Sequence, residues 1–148
     1  MKKYITTSYK QMQKLGERTA EQILNTIGGK TAIVLGLQGN LGGGKTTFLQ
    51  GFARGLGIKD KILSPTFVIL KRFQVPGFRF NDFYHIDCYR LKDEKDILEL
   101  GFKDIIKDAR NIVAIEWPEK IRKALPKGVI LIKFKFIGEN KREINFKI

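Results

Sequence analysis

The stretch Gly39-Asn40-Leu41-Gly42-Gly43-Gly44-Lys45-Thr46-Thr47 sets two glycines at the ends of a four-residue gap and follows them with lysine and hydroxyl residues. Gly39-x4-Gly44-Lys45-Thr46 is the P-loop spacing. Backbone N–H groups of such a loop form an anion nest, its lysine reaches the β- and γ-phosphates, and its Thr hydroxyl is left for Mg²⁺. Gly42 and Gly43 give backbone freedom for close approach to phosphate, and a helix opening at Lys45 would aim its positive end at the same anion. Residues 39–47 are therefore expected to bind a nucleotide, with Lys45 on a solvent-facing loop.

Hydrolysis needs further groups, and three segments offer them. In SPTF (64–67) Pro65 forces Ser64 into an extended conformation, so Thr66 is either a switch threonine sensing γ-phosphate or Mg²⁺ or part of an ordinary Ser-Pro turn. FYHIDCYRL (83–91) alternates like a strand and carries Asp87 near its end, where carboxylates of α/β sheets face the ligand crevice. NIVAIEWPEK (111–120) is an apolar run delivering Glu116, the Walker B arrangement. His85, the single histidine, should share a face with Asp87 and is read either as orienting that carboxylate or as a satisfied structural histidine. Arg90 could meet phosphate charge, a partner or a plain ion pair, and Trp117 could flank the nucleotide or fill the core.

These residues must be held by alternating helices and strands. Residues 8–27 form an amphipathic stripe (Met12, Leu15, Ala20, Ile23, Leu24, Ile27), with Ser8 as cap and Gly28-Gly29 as stop. A buried strand is expected at 31–37 and a helix at 45–56, which is the strand–loop–helix context a P-loop requires. Further strands are expected at 67–74, 79–88, 111–117, 129–137 and 142–148, with helical stretches at 93–100 and 118–125. The order predicts an α/β, P-loop NTPase-like three-layer fold, with a central mixed sheet flanked by helices.

Length and composition narrow the setting. At 148 residues one domain over 1–148 is expected, with a core that needs no disulfide. Cys88 has no partner cysteine and one histidine completes no zinc cluster, so a reducing, cytoplasmic setting is expected. No apolar run approaches the roughly 20 residues of a membrane span. The net charge of +13 favours polyanions, which makes tRNA contact through a basic surface a candidate; the lysines are spread over the chain, as in many well-solvated small proteins.

GNLGGGKTTF, SPTF, His85-x-Asp87-x-Tyr89-Arg90-Leu91 and IEWPE, in this order, resemble the TsaE (formerly YjeE) family, and the likeness runs from LGER at 15–18 to the C-terminal strands. The resemblance implies an ATPase of bacterial tRNA threonylcarbamoyladenosine biosynthesis. It implies binding of ATP and Mg²⁺ and action with TsaB and TsaD, which transfer threonylcarbamoyl to adenosine 37 of tRNAs reading ANN codons. By the same resemblance the loop amides and Lys45 hold phosphates, Thr46 and Glu116 ligate Mg²⁺, Asp87 serves metal or water activation, and Thr66 is the switch residue. Two departures stand out: Asn40 where the family usually has an acid, and Leu63 where it often has lysine.

Three other classes compete with this reading. A small-molecule or nucleotide P-loop kinase needs an arginine-rich lid, and KRFQVPGFRF (71–80) reads instead as a hairpin connection. A GTPase would use NKRE (140–143) to read guanine, but Glu143 is one methylene too long and no Asp-x-x-Gly exists. A non-enzymatic RNA-binding module suits the charge and leaves the P-loop unexplained.

Overall fold

The chain is described by a computed structural model covering residues 2–26, 28–40, 44–63 and 69–147. Among the described residues seven strands form one mixed sheet in the order β1-β7-β6-β2-β5-β4-β3. Its centre is parallel: β6 (Ile130–Gly138), β2 (Ile33–Gln38), β5 (Asn111–Glu116) and β4 (Asp82–Asp87) run the same way. Antiparallel strands extend both sides, β3 (Leu70–Gln74) beside β4, then β7 (Lys141–Lys147) and β1 (Lys2–Thr6) beyond β6. Parallel alignment carries the C-terminal ends of β2, β4 and β5 to one edge, where ligand crevices of α/β sheets open.

Helices α1 (Tyr9–Leu24) and α2 (Lys45–Gly55) cover one face. Ser8 caps α1, its Oγ accepting from the Gln11 N–H at 3.2 Å. The stripe buries Met12, Ala20 and Ile23, but the helix stops at Leu24 with Asn25 as C-cap, short of the expected glycine stop; Ile27 lies outside the described residues. Where α1 meets α2 the two backbones touch through glycine. A Cβ on Gly51 would sit 1.9 Å from the Gln13 carbonyl oxygen, and one on Gly16 would sit 2.1 Å from that of Phe48. Phe48 and Phe52 then project from α2 onto the sheet, fully buried.

The opposite face is covered by α3 (Glu94–Leu98), α4 (Phe102–Lys107) and a 3₁₀ segment, Pro118–Ala124, packed on Val34, Ile86, Val113 and Ile115. Expected elements shift here. The helix at 93–100 is shorter because Gly101, at φ +81°, breaks the chain, and α4, unanticipated, begins after it. The helix at 118–125 is a 3₁₀ segment kinked at Ile121. Strand β1 was also unanticipated, since an edge strand with one buried residue out of five leaves no alternation to read. Phe67 and Val68 of the expected strand 67–74 lie outside the described residues, as does Ile148. No described helix is long and apolar enough to cross a membrane.

Candidate nucleotide site

The glycine-rich segment follows β2 and precedes α2, the order the spacing requires. Gly39 (φ +147°) and Gly44 (φ +100°) occupy conformations that L side chains rarely adopt, and a Cβ on Gly39 would lie 2.6 Å from the Phe134 carbonyl oxygen. Asn40 is exposed, and Thr46 and Thr47 lie half-buried in the first turn of α2. Leu41, Gly42 and Gly43 lie outside the described residues, as do Ser64–Val68 and with them Thr66.

Lys45 is not on a solvent-facing loop. It is 5% exposed, its Nζ donates to the Gly39 carbonyl at 2.6 Å, and it stands 4.2 Å from the centre of the Trp117 ring. Burial pushes the ammonium pKa below its ordinary value, opposed by the charges of Glu116, Asp87 and Glu119.

The two carboxylates sit side by side. Asp87 and Glu116 are register partners on β4 and β5, and Glu116 is also level with Leu37 of β2, so both side chains point to the face that α2 covers. Asp87 Oδ1 accepts from the Tyr89 N–H at 2.9 Å. Burial raises its pKa and the neighbouring Glu116 adds to the rise, against the Tyr89 N–H, His85 and Lys45. The same surroundings, burial first, push the Cys88 thiol up to about 12.

His85 orients a carboxylate, but the carboxylate is Glu116. Level with Ala114 on the same face, its ring reaches one step along β5, and Nε2 lies 2.7 Å from Glu116 Oε2 with both residues buried. Asp87, the partner expected from chain proximity, lies two residues further along the same strand and accepts from the Tyr89 N–H instead.

Trp117 meets both expectations: it is partly buried against the core cluster under α3 and α4, and it stands beside Lys45. Its backbone takes the left-handed conformation (φ +60°, ψ +52°), its N–H donates to the Leu37 carbonyl at 3.3 Å, and its ring lies between Lys45 and Tyr89. Such strain in a non-glycine residue persists only where its surroundings fix it, here between Glu116 and Pro118. Arg90 is exposed. Glu119 was missed by sequence reasoning: its Oε2 is buried with no hydrogen-bond partner among the described residues, and its charge acts on Lys45 and Cys88. The second acid of EWPE was its only signal.

The competing readings lose their elements. Residues 71–80 form the β3–β4 hairpin, closed by the Val75 N–H on the Asn81 carbonyl, and not an arginine-rich lid. Glu143 sits inside β7, bridged to Lys3 at 3.5 Å, and not in a base-reading loop.

Comparison with known proteins gives the same direction. Residues 6–144 match the profile of the family described as "Threonylcarbamoyl adenosine biosynthesis protein TsaE". The tRNA threonylcarbamoyladenosine biosynthesis protein TsaE of Bacillus subtilis is 40% identical over 121 residues, 79% of this chain and 70% of that protein. The protein of the same name from Haemophilus influenzae is 33% identical over 128 residues, 86% of this chain and 78% of its own length. The crystal structure of Bacillus subtilis YdiB superposes with a TM-score of 0.77 at 32% identity, covering 98% of this chain and 83% of that one. With the Gly39-x4-Gly44-Lys45-Thr46 sequence between β2 and α2, paired carboxylates on β4 and β5, and a family match over nearly its whole length, the chain belongs to the TsaE family.

Proposed function

We propose that the chain, as a single domain over 1–148, is the ATPase of tRNA threonylcarbamoyladenosine biosynthesis. It would bind ATP with Mg²⁺ and work in the cytoplasm with TsaB- and TsaD-type partners that modify adenosine 37 of tRNAs reading ANN codons. The observation that carries this reading is the placement of Lys45: a desolvated ammonium on the Gly39 carbonyl, at the strand edge where Asp87 and Glu116 stand side by side.

In this reading the amides of residues 39–47 cradle phosphate oxygens and Lys45 exchanges the Gly39 carbonyl for a more strongly charged acceptor. Thr46, Glu116 and Asp87 supply hard oxygen donors, a set that fits Mg²⁺, which prefers one or two carboxylates together with substrate phosphates. When bound, the ion supplies charge neutralisation at the phosphate oxygens. Water attacks the γ-phosphorus, the bond to the β,γ-bridging oxygen breaks, and ADP and phosphate form. Asp87 Oδ2 would take the proton of the attacking water, while Oδ1, which accepts from the Tyr89 N–H, keeps a second lone pair for the ion; burial raises the carboxyl pKa in the metal-free protein. His85 holds Glu116 in place. Thr66 is the switch residue whose state the partners read.

The test is reconstitution of tRNA modification from purified components, with ATP turnover followed alongside. Omitting this chain should abolish sustained modification, and adding TsaB and TsaD should accelerate a slow basal hydrolysis. Undiminished modification without the chain would overturn the proposal, and stronger competition by GTP than by ATP would overturn the nucleotide assignment.

A further inference from the structure

One face of the sheet is covered over only part of its width. Among the described residues, the helices opposite α1 and α2 pack on β2, β5 and β4, and their buried cluster draws no residue from β1, β6 or β7. On those three strands the core-facing positions are Ile132, Phe134, Ile144 and Phe146, so the alternate positions stand on the open face. Register places Lys3 of β1, Lys141 and Lys147 of β7, and Lys133 and Lys135 of β6 there, all exposed. The one acid among them is Glu143, bridged to Lys3. Five lysines drawn from three separate segments thus meet on one surface, which a reading along the chain sees only as scattered charge. Lys133 is level with Gln38, so the patch continues to the edge where the P-loop begins.

We propose that this open β1–β7–β6 face docks the phosphate backbone of structured RNA; the choice of RNA as partner rests on the tRNA-pathway reading above. Lysine is a flexible point charge suited to phosphate, and neutralising phosphates releases counterions. None of the alternate positions on this face is aromatic, so there is no platform on which unpaired bases could stack, and the surface suits duplex backbone. A protein partner would call for an apolar centre with a charged rim. Here the centre is polar, Glu143 and Asn145 flanked by the lysines, and the apolar alternate positions lie apart at the margins, Ile5 on the edge strand β1 and Leu131 and Ile137 towards opposite ends of β6.

The experiment is fluorescence anisotropy of an unmodified tRNA transcript with the intact chain over a range of salt. Affinity should fall with salt at a log–log slope of about −0.9 per phosphate neutralised, so the double variant Lys133→Gln/Lys135→Gln should flatten the slope by about 2. The control Lys10→Gln/Lys103→Gln, two exposed lysines on α1 and α4, should leave it unchanged. No tRNA binding by the native chain, or equal slopes in all three proteins, would overturn the proposal, as would equal flattening in both variants, which marks net charge alone. Loss of TsaB–TsaD capture by the Lys133/Lys135 variant with its tRNA affinity intact would make the face a protein dock and overturn it as well. ATP calorimetry on the same proteins separates the two claims, because absent ATP binding beside a lysine-dependent slope would sink the ATPase assignment and leave the RNA surface standing.

Discussion

His85 Nε2 and Glu116 Oε2 lie 2.7 Å apart between adjacent parallel strands, with the two residues 2% and 4% exposed. A buried acceptor that loses its donor costs about 1–3 kcal/mol. His85→Ala should therefore lower stability by about that amount in urea denaturation and reduce ATP turnover more than ATP affinity. His85→Gln, which restores an N–H donor, should recover part of both. Native turnover in a folded His85→Ala protein would show that Glu116 needs no holding.

Lys45→Met keeps the aliphatic stem against Trp117 and removes the charge. Charge-assisted hydrogen bonds contribute about 1.5–3 kcal/mol, so ATP affinity measured by calorimetry should drop at least about 10-fold. Trp117 is the single tryptophan and lies 4.2 Å from the ammonium, which makes it a reporter. ATP should change its emission in the native protein by drawing Lys45 away, and should leave it unchanged in Lys45→Met.

Much of this site was legible in the sequence because P-loop chemistry is local. Three consecutive described residues, Gly44, Lys45 and Thr46, hold the helix cap, the lysine and the hydroxyl. Asp87 and Glu116 were legible as strand-end acids, since an apolar strand ending in a carboxylate has one common destination in an α/β sheet. The His85–Glu116 pair was not, because chain proximity favours Asp87 and only the β4–β5 register brings Glu116 under the ring. Glu119 and the burial of Lys45 depend on how the 3₁₀ segment folds back after a left-handed tryptophan, which no propensity announces. Strand β1 pairs with β7 from the far end of the chain, and that contact carries no local signal.

Thr46→Ala and Glu116→Ala should separate metal from nucleotide. A lost ligand is felt chiefly at the ion, so Mg²⁺-dependent turnover should fall about 10²-fold or more while metal-free nucleotide affinity changes little, in line with the charge stabilisation that Mg²⁺ supplies. Equal loss with and without Mg²⁺ in calorimetry would mean that these side chains build the pocket instead.

Gly51→Ala tests the α1–α2 packing. The new methyl would lie 1.9 Å from the Gln13 carbonyl oxygen, which is backbone and cannot rotate away, so the helices must separate. Overpacking of this kind costs about 1–3 kcal/mol, or roughly 3–10 °C in Tm at this chain length. The loss should leave ATP affinity per folded molecule unchanged. An unaltered Tm would mean that the helices part without cost.

Asp87→Asn should stabilise the nucleotide-free protein near neutral pH while abolishing most turnover. Burial raises the Asp87 pKa above its ordinary 3.8, so the folded state favours the protonated, neutral form. The stability belonging to this group is fully present below the unfolded pKa of 3.8 and is lost as pH rises through the higher folded value. Above the folded pKa the native chain carries a charged carboxylate that burial disfavours. Asparagine keeps an oxygen for the Tyr89 N–H and drops the charge, so Tm at pH 7 should rise above that of the native protein. The gain should shrink as pH falls and vanish below 3.8, where Asp87 is neutral in both folded and unfolded chains. Turnover should drop about 10²–10⁴-fold, the usual contribution of a positioned base, with ATP still bound. A Tm at pH 7 equal to or below the native value would show that Asp87 is held by attraction to Lys45 more than it is disfavoured by burial, and would remove the case for it as the proton acceptor.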